Sequence, residues 1–232
     1  KAPNGAHFKN ENGILPLLLE RLHNERDKAK KEKRELSSFA IKIIMNSFFG
    51  VLASPNCRFF SLEVANAITY FARMIIQMTA KEIEKKGYKV IYQDTDSCFV
   101  ETNLAKEKAN ILGKEIEKEI NDFYENYTKK NYNRKSYLQL EFEKQYLVLL
   151  IPKIRMKNGE ETAKAAKKRY AGLLEKDGKE EIEITGLEAI RGDWTDAAQD
   201  FQKELLKKIF HDEPIEKFIQ EYVKKIRTGK LD

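Results

Sequence analysis

Two cysteines in 232 residues, Cys57 and Cys98, are too few for a disulfide scaffold and fit a reducing compartment. Histidine is scarce, and His7, His23 and His211 show no zinc-ligand spacing. Five prolines and eleven glycines exclude a collagen-like or linker-like chain. The longest uninterrupted apolar run is six residues, 146–151, so the sequence predicts no membrane span. No apolar signal segment opens the chain, and neither does Met; Lys1-Ala2-Pro3-Asn4-Gly5 reads like mid-chain sequence. There is no GxxxxGK[ST] loop, no GxSxG elbow and no cysteine nucleophile signature, which removes the P-loop nucleotide hydrolases and two nucleophilic hydrolase classes. What remains is a globular composition, 41% hydrophobic and 34% charged, long enough for a real apolar core.

The net charge of +6 is unevenly spread. Residues 1–42 carry +4, residues 43–128 carry −2, residues 129–170 carry +8 and residues 171–232 carry −4. Two basic stretches therefore flank a mildly acidic middle. Such stretches suit phosphate partners, nucleic acid among them, and equally suit a Lys/Glu-rich solvated surface.

Hydrophobic periodicity and turn residues predict an α+β protein, a small antiparallel sheet with helices packed beside it. Asn12 is placed to cap a helix running to about residue 33, and a second helix starts at Ser37 or Ser38 and stops at Gly50. The short link between them predicts an antiparallel helical hairpin. A long helix follows over residues 62–86. Short strands at residues 88–92 and 97–100 flank Asp94-Thr95-Asp96. Further on, the pattern predicts a helix over 105–127, a strand over 137–151 and a polar loop over 155–166. A hairpin turns at Lys176-Asp177-Gly178-Lys179, and two helices close the chain over 194–210 and 214–227.

Four features could carry chemistry. In Tyr92-Gln93-Asp94-Thr95-Asp96-Ser97, two carboxylates at i and i+2 on a strand share a face and could hold hard divalent cations; the same residues suit an Asx turn. On the helical hairpin, Arg26 and Lys30 share one helical face, and Lys42, Asn46 and Phe49 share another. Together they could grip a triphosphate, or be a solvated basic face beside a core ring. Lys167-Lys168-Arg169-Tyr170 suits contact with a duplex backbone, or a charge-protected edge strand. Glu141 and Glu143 lie on one face of the predicted strand 137–151, either backing up a metal site or facing solvent.

Taken in order, these features resemble one family. Lys42-Ile43-Ile44-Met45-Asn46-Ser47-Phe48-Phe49-Gly50 resembles the fingers motif K-x-x-x-N-S-x-Y-G of the family-B DNA polymerases. Tyr92 to Ser97 resembles the palm motif Y-G-D-T-D-S, and Lys167 to Tyr170 the duplex-contact motif K-K-[KR]-Y. Gly186-Leu187-Glu188-Ala189-Ile190-Arg191-Gly192-Asp193-Trp194 resembles the stretch that enters the thumb. The wording around these motifs is most like the bacterial DNA polymerase II group and its archaeal relatives. Two residues depart from the pattern: Gln93 stands for Gly, and Phe49 for Tyr.

The resemblance implies a division into the end of a palm connection (1–11), a fingers hairpin (12–50), the C-terminal palm (51–190) and the start of a thumb (191–232). It implies a DNA-directed DNA polymerase that adds dNTP to a primer 3′-hydroxyl with two Mg²⁺. Asp96 is then a principal metal ligand, Asp94 an auxiliary one, and Glu141 or Glu143 helps an outer metal. Lys42 contacts the triphosphate and protonates the pyrophosphate leaving group. Arg26 and Lys30 bind the β- and γ-phosphates, Asn46 lies beside the nucleotide, and Phe49 packs near the nascent base pair. Lys167, Lys168, Arg169 and Tyr170 hold the primer–template duplex. The family's other metal-binding Asp, in a D-x-x-S-L-Y-P motif, is not found here, so the chain alone is expected to be inactive or nearly so. The implied partners are primer–template DNA, dNTP, an upstream polymerase/exonuclease portion and a sliding clamp, in a cytoplasmic, nucleoid-associated setting. The alternative is a catalytically inactive relative that keeps its DNA contacts.

Overall fold

The structure, a computed structural model, describes residues 1–9, 11, 13–155 and 161–231. The chain forms two compact units, Lys1–Lys81 with Thr95–Ser97, and Glu82–Asp94 with Cys98–Asp232.

The first unit is built on helices. Helices α1 (Ile14–Lys31) and α2 (Glu35–Ala53) pack together as the predicted hairpin. Ala29, fully buried, brings the two backbones close. The connection is a Schellman turn: Arg34 N–H donates to the Ala29 carbonyl at 2.8 Å and Lys33 N–H to Lys30 at 3.1 Å, with Lys33 at φ 55°. Asn12, the predicted cap, lies outside the described residues; Gly13 takes the cap position and makes no side-chain bond.

Gly50 does not end α2, which continues to Ala53. The stop comes from Pro55, which drives Ser54 into extended backbone at ψ 120°. With only Glu35 and Lys42 charged, α2 reaches a mean hydropathy of 1.6 and is long and apolar enough to cross a membrane by length and composition. Lys42, Asn46 and Ser47 interrupt its apolar runs without making the helix polar, so a count of unbroken runs passes over it. Helix α3 (Leu62–Lys85) follows; Ser61 Oγ accepts the Val64 N–H at its start.

The second unit holds the sheets. Strands β1 (Lys89–Asp94) and β2 (Ser97–Glu101) form a two-stranded ladder turned by Thr95-Asp96. Helix α4 (Lys106–Tyr132) buries Ala109, Leu112, Ile116, Ile120 and Tyr124 along one stripe and outlasts its prediction, ending at Asn133 in the left-handed region.

Strand β3 covers only Val148–Leu150 rather than residues 137–151. The reason lies in α4. The Asn121 side chain accepts from Leu140 N–H at 2.7 Å and donates to its carbonyl at 2.9 Å, while Glu117 accepts from Phe142 N–H at 2.8 Å. Side chains thus take the backbone groups that a neighbouring strand would have taken. The predicted loop 155–166 is also corrected: β4 (Lys153–Arg155) pairs antiparallel with β5 (Glu161–Ala165), and residues 156–160 lie outside the description.

Strands β6 (Tyr170–Lys176) and β7 (Lys179–Thr185) form the predicted hairpin, with Asp177 and Gly178 both at positive φ, 52° and 76°. With β3 they make an antiparallel sheet in the order β3-β6-β7. Helix α5 (Asp196–Phe210), capped by Thr195, lays Leu206 and Phe210 on that sheet against Ala171, Leu173 and Leu187. Helix α6 (Glu216–Arg227) is fastened by Phe218 stacked on Phe201, centroids 5.5 Å apart, and by Tyr222 donating to the Ala197 carbonyl at 2.7 Å. The α+β reading of the sequence is the class observed.

Candidate functional site

The Tyr92–Ser97 motif ends β1 and makes the turn. Asp94 is the last residue of β1, but Asp96 sits in the turn rather than two positions along one strand. Thr95 adopts φ 48°, an uncommon conformation for a β-branched residue and one that tends to occur at functional sites. Cys98, on β2, has its thiol pushed up to about 11 by burial.

The duplex-contact motif closes on the same hairpin. Lys167 and Lys168 form a turn before β6, with Lys168 at φ 57°. Strand β6 begins only at Tyr170, so the three cations precede the strand and do not line its edge. Lys168 N–H donates to the buried Tyr92 hydroxyl at 2.7 Å, and Lys168 Nζ pairs with Asp94 Oδ2 at 2.7 Å. Two motifs 74 residues apart are therefore in direct contact.

An aromatic cluster supports this contact. Tyr92 meets Phe99 edge-on at 5.4 Å, Phe99 stacks on Tyr146 at 6.0 Å, and Tyr170 lies edge-on to Phe99 at 5.2 Å. Tyr146 donates its hydroxyl to Glu183 at 2.7 Å, and Lys144 donates to the same carboxylate at 2.7 and 2.9 Å. Burial works against the charge of Glu183, yet the bonds from Lys144 and Tyr146 outweigh it and hold the carboxyl below its usual range. Burial, and then the bond to Glu183, raise the Tyr146 phenol above its ordinary value. Nothing in the local sequence of Tyr146 or Glu183 signalled this role; a half-buried Tyr near a Lys is too common a pattern.

On the first unit, Lys42, Asn46 and Phe49 fall on one exposed face of α2, beside the half-buried row of Ile41, Met45 and Phe48. Arg26 is half-buried on α1, and its Nε has no hydrogen-bond partner among the described residues. Lys30 is exposed one turn further on.

Among the described residues no three His, Cys, Asp or Glu side chains gather as a metal ion requires. Glu143 is on the irregular segment before β3, its side chain 80% exposed and 3.5 Å from Lys144. Asp94 and Asp96 have the hard oxygen donors that suit Mg²⁺, but the donor set is short.

The model of DNA polymerase family B matches residues 1–230. The chain is 39% identical over 229 residues to DNA polymerase II of Escherichia coli (strain K12), covering 98% of this chain and 28% of that protein. It is 32% identical over 231 residues to the DNA polymerase of Desulfurococcus sp. (strain Tok), covering 94% and 26%. It is 29% identical over 241 residues to the DNA polymerase alpha catalytic subunit of Drosophila melanogaster, covering 95% and 15%. The chain thus spans less than a third of each of these relatives. With the family's pattern running across nearly all of its residues, the chain belongs to DNA polymerase family B.

Proposed function

We propose that this chain is the fingers (12–50), C-terminal palm (51–190) and early thumb (191–232) of a DNA-directed DNA polymerase, acting on primer–template DNA and dNTP. The observation that carries the reading is the contact of the Tyr92–Ser97 motif with Lys168. It brings the carboxylate-bearing end of β1 beside the basic loop, so that the two motifs read as palm and duplex-contact elements lie together.

In this reading Asp94 and Asp96 hold Mg²⁺ together with a further Asp from an upstream portion, and Glu141 or Glu143 assists an outer ion. Bound there, Mg²⁺ would lower the pKa of the attacking 3′-hydroxyl and offset negative charge on the leaving pyrophosphate. The chain's own residues bind and orient. Arg26 and Lys30 take the β- and γ-phosphates, and Lys42 takes the triphosphate and gives a proton to the departing pyrophosphate. Asn46 and Phe49 line the nucleotide, Phe49 without the hydroxyl that a Tyr would add. Lys167 and Lys168 grip the duplex, and Arg169 and Tyr170 complete the motif beside them. A sliding clamp is a further proposed partner, and a cytoplasmic, nucleoid-associated setting follows from the same reading.

The experiment is primer extension by the purified chain, alone and mixed with an upstream family-B polypeptide carrying the other Asp. Near-zero synthesis alone, synthesis on mixing, and loss of synthesis with Asp96→Ala are expected. Strong extension by the chain alone overturns the incomplete-site reading, and an active Asp96→Ala overturns the metal assignment. A second reading, an inactive DNA-binding relative, draws on the short donor set; it predicts salt-sensitive DNA binding with no metal or nucleotide dependence and no rescue.

A further inference from the structure

Arg169 sits among the cations of the duplex-contact motif, but its guanidinium is engaged elsewhere. Arg169 Nη2 donates to Glu188 Oε1. The other oxygen, Glu188 Oε2, accepts from Gln202 Nε2 at 2.9 Å, and Gln202 Oε1 accepts the Ala189 N–H at 2.5 Å. Both carboxylate oxygens and both ends of the amide are thereby used. The bond from Gln202 first, then its own backbone N–H and the Arg169 pair, hold the Glu188 carboxyl below its usual range against burial. Glu188 is the less exposed partner, at 20% against 40% for Arg169.

The backbone beneath this chain of bonds is equally constrained. Gly186 lies at φ 61°, and a Cβ there would stand 1.9 Å from the Lys168 carbonyl oxygen, so the two segments touch main chain to main chain. Leu187 and Ala189, on either side of Glu188, are buried, and Leu187 packs with Leu206 and Phe210 of α5. The 3₁₀ turn Glu188–Ile190 is therefore fixed to α5 from below and to Arg169 from above.

We propose that Arg169 is a positioning residue and not a phosphate contact. The Arg169–Glu188–Gln202 chain ties the loop bearing Lys167 and Lys168 to α5, so that loop and helix move as one body and duplex grip is coupled to the orientation of α5. The charge of Arg169 is offset by Glu188, so attraction of phosphates falls to Lys167 and to the exposed Lys168, which shares its charge with Asp94. The inference rests on the DNA-binding reading above for its ligand, and on geometry alone for the tie.

The test is a charge swap in this chain, read by binding to a short primer–template duplex across a salt series. Arg169→Glu and Glu188→Arg should each weaken binding by roughly tenfold, and the double swap should restore it to within about threefold with the wild-type salt slope. A direct phosphate contact gives the opposite pattern: Glu188→Arg tightens binding, Arg169→Glu lowers the slope by about one or more, and the swap does not rescue. Amide exchange in the milder Glu188→Gln variant reads the tie without DNA. Exchange should rise together at Ala189 and at Lys168; a rise at Ala189 alone overturns the coupling. If the wild-type chain binds no duplex while Lys168 exchange rises, the tie stands and the DNA-binding reading falls.

Discussion

Lys168 places its ammonium 2.7 Å from the Asp94 carboxylate, and its own N–H on the Tyr92 hydroxyl, so a single residue binds the end of β1 twice. The pair is half open to water, with side-chain exposures of 68% and 24%, and contributes less than about 1 kcal/mol to folding. Its consequence is one of position. Lys168→Ala should leave the urea midpoint nearly unchanged, weaken duplex binding several-fold, and reduce the dependence of log K on log salt by about one. An unchanged slope would mean that Lys168 serves Asp94 only.

Gly113 lies in the interior of α4, where Ala has about 1 kcal/mol better helix propensity. A Cβ there would stand 2.5 Å from the Phe142 ring. The clash outweighs the propensity gain, so Gly113→Ala should destabilise by roughly 1–2 kcal/mol. In a Phe142→Ala background the ring is gone and the same change should stabilise, by up to about 1 kcal/mol. Urea unfolding of the four proteins checks the reversal of sign.

Asn121 satisfies both backbone groups of Leu140. Asn121→Ala leaves them without a partner and should cost about 1–3 kcal/mol. Amide exchange at Leu140 should rise well beyond that at the neighbouring turns of α4, which keep their own helical bonds. Equal protection in the variant would count against the side-chain ladder.

His211 receives the Glu180 carboxylate on Nε2 at 2.7 Å and faces the Lys207 carbonyl through Nδ1 at 2.7 Å. The carbonyl first, then Glu180, raise its pKa above 6.5, with Glu213 adding to the negative field. A raised folded-state value stabilises the protein below the unfolded value and loses that contribution as pH climbs through the folded one. The midpoint difference between wild type and His211→Gln should therefore be largest below pH 6.5 and shrink as pH rises past it through the raised folded-state value. A difference that grows with pH would contradict the pairing.

Much of the fold is legible from local rules. The helical hairpin follows from two apolar stripes and a short link, and the turn at Asp177-Gly178 from its residues alone. The misreadings share a cause. Residues 137–147 have the composition of a strand, but Asn121 and Glu117 take their backbone bonds from a helix, and no local pattern encodes a partner 19 to 25 residues away. Gly50 reads as a stop signal, yet it sits inside α2 because Pro55 sets the end. The candidate site divides the same way: Asp94, Asp96, Lys42 and the basic motif are recognisable by type and order, whereas Tyr146, Glu183, Glu188 and Gln202 have no signature of their own.

The sequence by itself determined the class, most of the helices, and the family, because periodicity, turn chemistry and motif order are properties of neighbouring residues. Only the tertiary structure decided what the charges do. It directed Lys168 onto Asp94 and Arg169 onto Glu188, and so made two of three adjacent cations into internal partners. Which carboxylate a lysine or arginine meets depends on where distant backbone brings it, and a charge attracts alike every opposite charge within reach.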